Sequence, residues 1–167
     1  MVGTDRKEEN MIITIDVGNT NITVGVFQND NVITSFRMTT KMPRTSDEYG
    51  MLLTNLLEQN NIHCDEIEDA IIASVVPNVM HSLEGAVVKY LKIRPIVIEP
   101  GIKTGIRIAT EDPRQIGADR IVDAAAAYEI YGGPVLVLDF GTATTYDLVD
   151  ATGAFLSGVT APGIRIS

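Results

Sequence analysis

Two short segments of this chain carry the residue types that phosphate chemistry asks for, and they are built alike. Asp16-Val17-Gly18-Asn19-Thr20-Asn21 and Asp139-Phe140-Gly141-Thr142-Ala143-Thr144 each place a carboxylate two residues before a glycine, with small polar side chains following. Glycine and small polar residues let a backbone approach a phosphate closely, and an aspartate supplies a hard oxygen for a metal ion near the phosphates. The same pattern has a structural use, in which glycine provides positive φ and aspartate a local hydrogen bond. Duplication favours the chemical use. Two such turns from two related domains can face each other across a cleft and hold a nucleotide's phosphates between them.

A third segment, Gly117-Ala118-Asp119-Arg120, opens an Ala-rich stretch that reads as a helix. A carboxylate in a first helical turn is favoured by the helix dipole in any protein. Asp119 is also a candidate general base, because an alcohol attacking a phosphate must give up a proton to a fixed acceptor. Arg120 is either a bidentate partner for a substrate carboxylate or phosphate, or a surface charge. His63 and His81 lie far apart without ligand spacing and read as surface or satisfied histidines. Cys64 is alone, which excludes an internal disulfide and argues against a thiolate zinc site. Met11, Met38, Met42, Met51 and Met80 read as core or turn fillers. Neither a G-x-x-x-x-G-K-[ST] string nor a G-x-G-x-x-G string occurs, which argues against a P-loop or a dinucleotide-binding Rossmann domain.

The elements that must position these residues are legible as an α/β pattern. Residues 1–10 are polar and aperiodic and read as a disordered extension. Ile12–Ile15, Ile22–Phe27 and Val32–Met38 read as a three-strand meander with polar turns between. Ser46–Asn60 reads as a helix capped by Ser46, with Met51, Leu52 and Leu56 at helical spacing. Ala70–Val76 reads as a buried strand, Asn78–Tyr90 as a second helix and Ile96–Ile98 as a short strand. Pro100–Pro113 reads as loop with one strand. Gly117–Tyr131 is helical and is stopped by Gly132-Gly133-Pro134. The opening pattern then returns: Val135–Leu138 runs into Asp139, Tyr146–Val149 is strand-like, and Phe155–Thr160 is another strand. Matching Asp16 to Asp139 brings Gly18 onto Gly141, an internal repeat of one α/β unit. The expected organisation is a first domain over 11–132 and the beginning of a second over 133–167, whose strands lack covering helices and expose apolar edges.

The whole chain has 167 residues, 45% hydrophobic and 21% charged, with 22 Asp plus Glu against 13 Lys plus Arg for a net charge of −9. That length buries roughly two-thirds of the unfolded surface. The acidic balance argues against a broad nucleic-acid or anionic-membrane surface. No apolar run reaches the length of a membrane span, no signal peptide is evident, and a cytoplasmic location is expected.

Taken together, the Asp16–Asn21 turn, Gly117–Arg120 and the segment Asp139 to Thr145 resemble type III pantothenate kinase, a family of the acetate and sugar kinase, Hsp70 and actin superfamily. The resemblance runs from about Met11 to Ser167 and includes Thr45–Tyr49, Ser74–Pro77, Pro100–Gly105 and Ala161–Ile164. It implies a ribonuclease H-like, actin-like ATPase fold and ATP-dependent phosphorylation of pantothenate, the first step of coenzyme A synthesis. It implies ATP contacts from Asp16, Val17, Gly18, Asn19, Thr20, Asn21, Ile22, Thr23 and Thr142. Gly117, Ala118, Asp119 and Arg120 fall at pantothenate, with Asp119 as general base. Asp139 falls at a monovalent cation, K⁺ or NH₄⁺, and Mg²⁺ accompanies the nucleotide. The implied assembly is a homodimer. Members of this family usually continue well past Ser167. Many carry a tyrosine contacting pantothenate where this chain has Thr110. A regulatory protein of the Bvg accessory factor kind, or a kinase of the superfamily acting on a sugar or small acid, are the competing readings.

Overall fold

The computed structural model describes residues 10–99 and 101–164. The expected extension at residues 1–10 falls almost entirely outside the described residues. The chain forms two compact units, one of residues 10–72 with 76–97 and one of residues 73–75 with 98–164.

The first unit is built on a five-stranded sheet. Strands β1 (Met11–Val17), β2 (Asn21–Gln28) and β3 (Asn31–Thr39) form the expected antiparallel meander. β4 (Ile67–Ser74) and β5 (Ile96–Val97) complete the order β3-β2-β1-β4-β5. Alternation decides which side is buried. Ile13, Ile15 and Val17 pair with Val26, Val24 and Ile22, and all six side chains lie in the core. Helices α1 (Ser46–Gln59) and α2 (Pro77–Ala86) supply Tyr49, Leu53, Leu57, Leu83 and Ala86 to that core. The opposite face carries Asp16 paired with Thr23.

Two local readings are corrected here. The cap of α1 is Thr45 and not Ser46: the Glu48 amide donates to Thr45 Oγ1 at 3.3 Å, and Glu48 Oε2 accepts from the Thr45 amide at 2.7 Å. This reciprocal pair satisfies two otherwise orphaned amides, which Ser46 could not do one residue later. The buried stripe of α1 is Tyr49, Leu53 and Leu57, while Met51 and Met42 are exposed; of the five methionines expected as fillers, Met38 is buried and Met11 and Met80 pack against the core. α2 starts at Pro77, whose missing N–H costs nothing at a helix start, and continues into a π-type turn at Val87–Leu91.

The second unit holds β6 (Arg107–Ile108), helix α3 (Ala118–Tyr131), and strands β7 (Val135–Phe140), β8 (Ala143–Val149) and β9 (Ala154–Pro162). The sheet order is β6-β9-β8-β7, with β7, β8 and β9 antiparallel. β8 begins earlier than its apolar residues indicate, at Ala143, because the ladder with β7 runs to the Phe140–Thr144 pair. α3 packs on β7 and β8 and closes a small core of Ala124, Val149 and Phe155 with Ile108, Ile116 and Val135. One face of this sheet is therefore covered by a helix, contrary to the expectation of strands without one. On the other face Leu136 pairs with Leu148, Leu138 with Tyr146 and Tyr146 with Val159, and all of these side chains are exposed. Among the described residues no helix is long and apolar enough to cross a membrane.

Candidate functional site

The start of α3 is where the second unit concentrates its polar side chains. Gly117 is the N-cap, and a Cβ there would press on Asp119 Oδ1 and on Val75. Glycine at this position leaves room for the carboxylate. Asp119 stands in the first turn, half-buried, with Oδ1 accepting the Arg120 amide at 2.8 Å. The positive end of the helix dipole stabilises its charge there.

Arg120 reaches from the helix to the sheet. Its Nε donates to Asp147 Oδ1 at 2.9 Å and Oδ2 at 3.2 Å, Nη2 also donates to Asp147 Oδ1, and Nη1 lies 3.4 Å from Thr160 Oγ1. The Asp147 side chain is only 2% exposed and that of Arg120 17%. A carboxylate this buried requires a cationic, hydrogen-bonding partner. Asp147 was not singled out from the sequence. Its signal was there: in β8 it occupies the same face as Thr145 and Val149, the face turned to α3, so it interrupts a strand's core-facing positions with a charge.

Beside this pair lies a cavity of about 530 Å³ whose wall includes Thr110, Glu111, Asp112, Arg120, Ser157 and Gly158. Asp112 accepts from the Arg114 amide at 3.1 Å and from Gln115 Nε2 at 3.2 Å. The Thr110 hydroxyl is buried and has no hydrogen-bond partner among the described residues. An unpaired buried hydroxyl costs about 1–3 kcal/mol, and Oγ1 itself is closed to solvent, so a ligand in the cavity supplies the missing bond only if the Thr110 side chain turns toward it.

Asp139 ends the apolar part of β7 and is exposed. It pairs with Thr145, which pairs with Thr160, so the row Asp139–Thr145–Thr160 runs beside the row Val137–Asp147–Gly158 on the α3 side of the sheet. The β7–β8 turn is closed by the Gly141 amide on the Ala143 carbonyl at 2.9 Å and leaves Thr142 exposed.

The other predicted turn belongs to the first unit. The Gly18 amide donates to Asn21 O at 3.0 Å, closing the β1–β2 turn. Thr40 braces it from outside: its hydroxyl donates to Gly18 O at 2.8 Å and its amide to Thr20 O at 3.0 Å. Asp16, Asn19 and Asn21 are exposed, and Thr20 and Thr23 are half-buried. Val17 and Ile22 put their side chains fully into the core, so these two can offer a ligand only backbone groups. His63 and His81 are exposed, and burial pushes the Cys64 thiol pKa up. Among the described residues no group of three or more His, Cys, Asp and Glu could by itself hold a metal ion.

Comparison with known proteins adds the decisive observation: the family model for type III pantothenate kinase matches residues 12–167. The chain belongs to the type III pantothenate kinase family. A type III pantothenate kinase of Agathobacter rectalis is 71% identical over 157 residues, covering 94% of this chain and 60% of the relative. One of Bifidobacterium animalis subsp. lactis is 50% identical over 154 residues, covering 92% of this chain and 61% of the relative. The chain thus spans about 60% of the length of these curated relatives. Among solved structures, a reductive activator for a corrinoid, iron-sulfur protein aligns with 95% of this chain and 32% of its own, with a TM-score of 0.54 at 12% identity. At that identity the likeness is one of fold. A meander, a helix, a strand, a second helix and a strand in the order 3-2-1-4-5 is the first half of the actin-like ATPase fold, as the family resemblance implied.

Proposed function

We propose that this chain is part of an enzyme that phosphorylates pantothenate with ATP, giving 4'-phosphopantothenate for coenzyme A biosynthesis. The observation that carries the reading is the family match across residues 12–167, joined to a first-turn carboxylate and an anchored arginine beside a polar-walled cavity. In this reading the cavity takes pantothenate. Asp119 accepts the proton of the attacking hydroxyl while that oxygen bonds to the γ-phosphorus and the bond to the ADP oxygen breaks. Asp119 Oδ1 accepts the Arg120 amide, so in this reading Oδ2 is the oxygen that takes the proton. Arg120 meets an oxygen of pantothenate.

ATP falls to the Asp16–Thr23 turn and Thr142. Both turns fit phosphates, since each combines a hydrogen-bonded glycine turn with exposed polar side chains. Exposed Asp139, next to the Thr142 turn, fits a monovalent cation such as K⁺ or NH₄⁺. Asp16 fits Mg²⁺ that is otherwise held by phosphates and water, the usual coordination of that ion. These cations neutralise phosphate charge. In the same reading the enzyme is a homodimer and works in the cytoplasm.

The test is a screen of the full-length protein with ATP against pantothenate, sugars and small hydroxy acids. Pantothenate-dependent ADP release is expected. Turnover of another acceptor in its place, or of none, would defeat the reading in favour of a sugar kinase or a regulatory protein.

A further inference from the structure

Asp147 is a buried carboxylate that the proposed reaction does not use, and it occupies the Nε and Nη2 edge of Arg120. The remaining Nη1 meets Thr160 Oγ1 at 3.4 Å, the long end of hydrogen-bond range, so this edge is the one weakly held. Arg120 and Gly158 both line the cavity. Gly158 makes the arrangement possible. A Cβ on it would fall within the guanidinium and against Asp147 Oδ1. The need here is for space, since glycines of positive φ are found elsewhere in the chain.

Stability does not account for this construction. Replacing a buried ion pair by apolar residues of similar volume is often neutral or stabilising. Charge attraction does not account for it either. Asp147 offsets the charge of Arg120, and Glu111 and Asp112 share the cavity wall, so net charge alone does not select the ligand and its recognition rests on directed hydrogen bonds. What the pair does supply is direction, because a planar guanidinium gripped on one edge can point only the other edge.

We propose that Asp147 is a positioning residue, with Gly158 as its clearance, that fixes the Arg120 guanidinium so that it donates to an oxygen of the substrate in this cavity. The inference rests on the reading of the cavity as the pantothenate site. Its test uses the full-length protein and pantothenate. Titrate the wild type, Asp147→Asn, Gly158→Ala, Arg120→Lys and the two doubles, and record the Arg Nε–H resonances of each without ligand. Asp147→Asn and Gly158→Ala should each weaken pantothenate about tenfold and lose the slowly exchanging Arg120 Nε–H signal, and neither should add to Arg120→Lys. Gly158→Ala keeps both charges, so it decides the matter if Asp147→Asn unfolds. Additive effects on binding, or an unchanged Nε–H signal in either variant, overturn the proposal. A wild-type chain that takes up no pantothenate defeats the assignment of the cavity instead. The ligand-free resonance then judges the positioning role, upheld by its loss and overturned by its persistence.

Discussion

Thr110→Val should move stability and binding in opposite directions. Valine keeps the shape of the side chain and replaces Oγ1, which is buried without a partner, by a methyl group. Ordinarily Thr→Val in a buried site is costly because a hydrogen bond is lost. Here the free protein has none to lose, and removing an unsatisfied buried hydroxyl relieves a desolvation cost of about 1–3 kcal/mol. Taking 1 kcal/mol, and a urea slope of about 1–3 kcal/mol/M, the unfolding midpoint rises by roughly 0.3–1 M. With ligand the sign reverses. If the hydroxyl meets a polar group of pantothenate, its loss forfeits about 0.5–1.5 kcal/mol, a roughly two- to twelvefold weaker Kd. Urea unfolding followed by circular dichroism gives the first quantity, and calorimetric titration with pantothenate the second. A destabilised variant would show that Thr110 is paired in solution. A stabilised variant with unchanged Kd would show that the cavity's ligand ignores it. Either outcome refutes the reasoning that an orphan hydroxyl in this wall belongs to a ligand.

Asp119→Asn in the full-length protein should keep the fold and lower kcat by about 10²–10⁴, the usual contribution of a general base; turnover within a few-fold of wild type would remove it from that role. Asp139→Ala should raise the KM for ATP and abolish any difference between K⁺ and Na⁺ buffers, whereas identical kinetics in both salts would take Asp139 out of the site. Asp150 turns the β8–β9 hairpin, and hydrogen bonds from the Ala154 amide and from the Thr152 hydroxyl and amide hold its pKa below the usual aspartate range. A carboxylate depressed in the folded state stabilises above its ordinary pKa and loses that contribution as pH falls through the folded value. Asp150→Ala should therefore flatten the acid limb of the stability curve below about pH 4, and a carboxyl NMR titration of Asp150 at an ordinary aspartate midpoint would contradict this. The 167-residue chain alone should turn over far more slowly than its A. rectalis relative, since positioning two substrates away from water draws on more of the protein than about 60% of its length; equal specific activity would refute that.

The meander was legible because alternation, polar turns and β-branched runs agree from Met11 to Thr39. Helix existence was legible too, and Leu52 and Leu56 pack against the core as their spacing indicates, but the centre of the buried stripe was not legible. Met51 fits a helical stripe as well as Leu53 and Leu57 do yet is exposed, and Tyr49 Oη gives no warning that the ring is fully buried. Only the packing of α1 against the Ile13–Val26 face separates them. The cap moved by one residue for a similar reason. Ser46 and Thr45 both suit an N-cap, and the reciprocal bond to Glu48 favours the residue three before it.

The repeat and the compact units divide the chain differently, and the difference explains what the sequence could and could not say about the site. Matching Asp16 to Asp139 follows the strand–turn–strand pattern, so it ends the first copy at the glycines after α3. Packing follows apolar contact, and α3 lies on the sheet that comes after it. Local motifs announce themselves: Asp-x-Gly turns and Gly117–Arg120 carry their chemistry within a few residues. Contacts across a fold do not. Thr40, which braces the Gly18 turn, lies 22 residues from it, and Asp147 lies 27 residues from the Arg120 it holds. Each was visible only as a polar residue in a position that the surrounding pattern reserves for the core. A buried Asp147 in β8 demanded a cation, Arg120 was a cation near a helix start, and the helix–sheet packing joins them. Polar residues that break a strand's inward face are thus the signal to pair with the charged ends of neighbouring helices. Here that pairing turns a first-turn motif into an oriented guanidinium at a cavity wall.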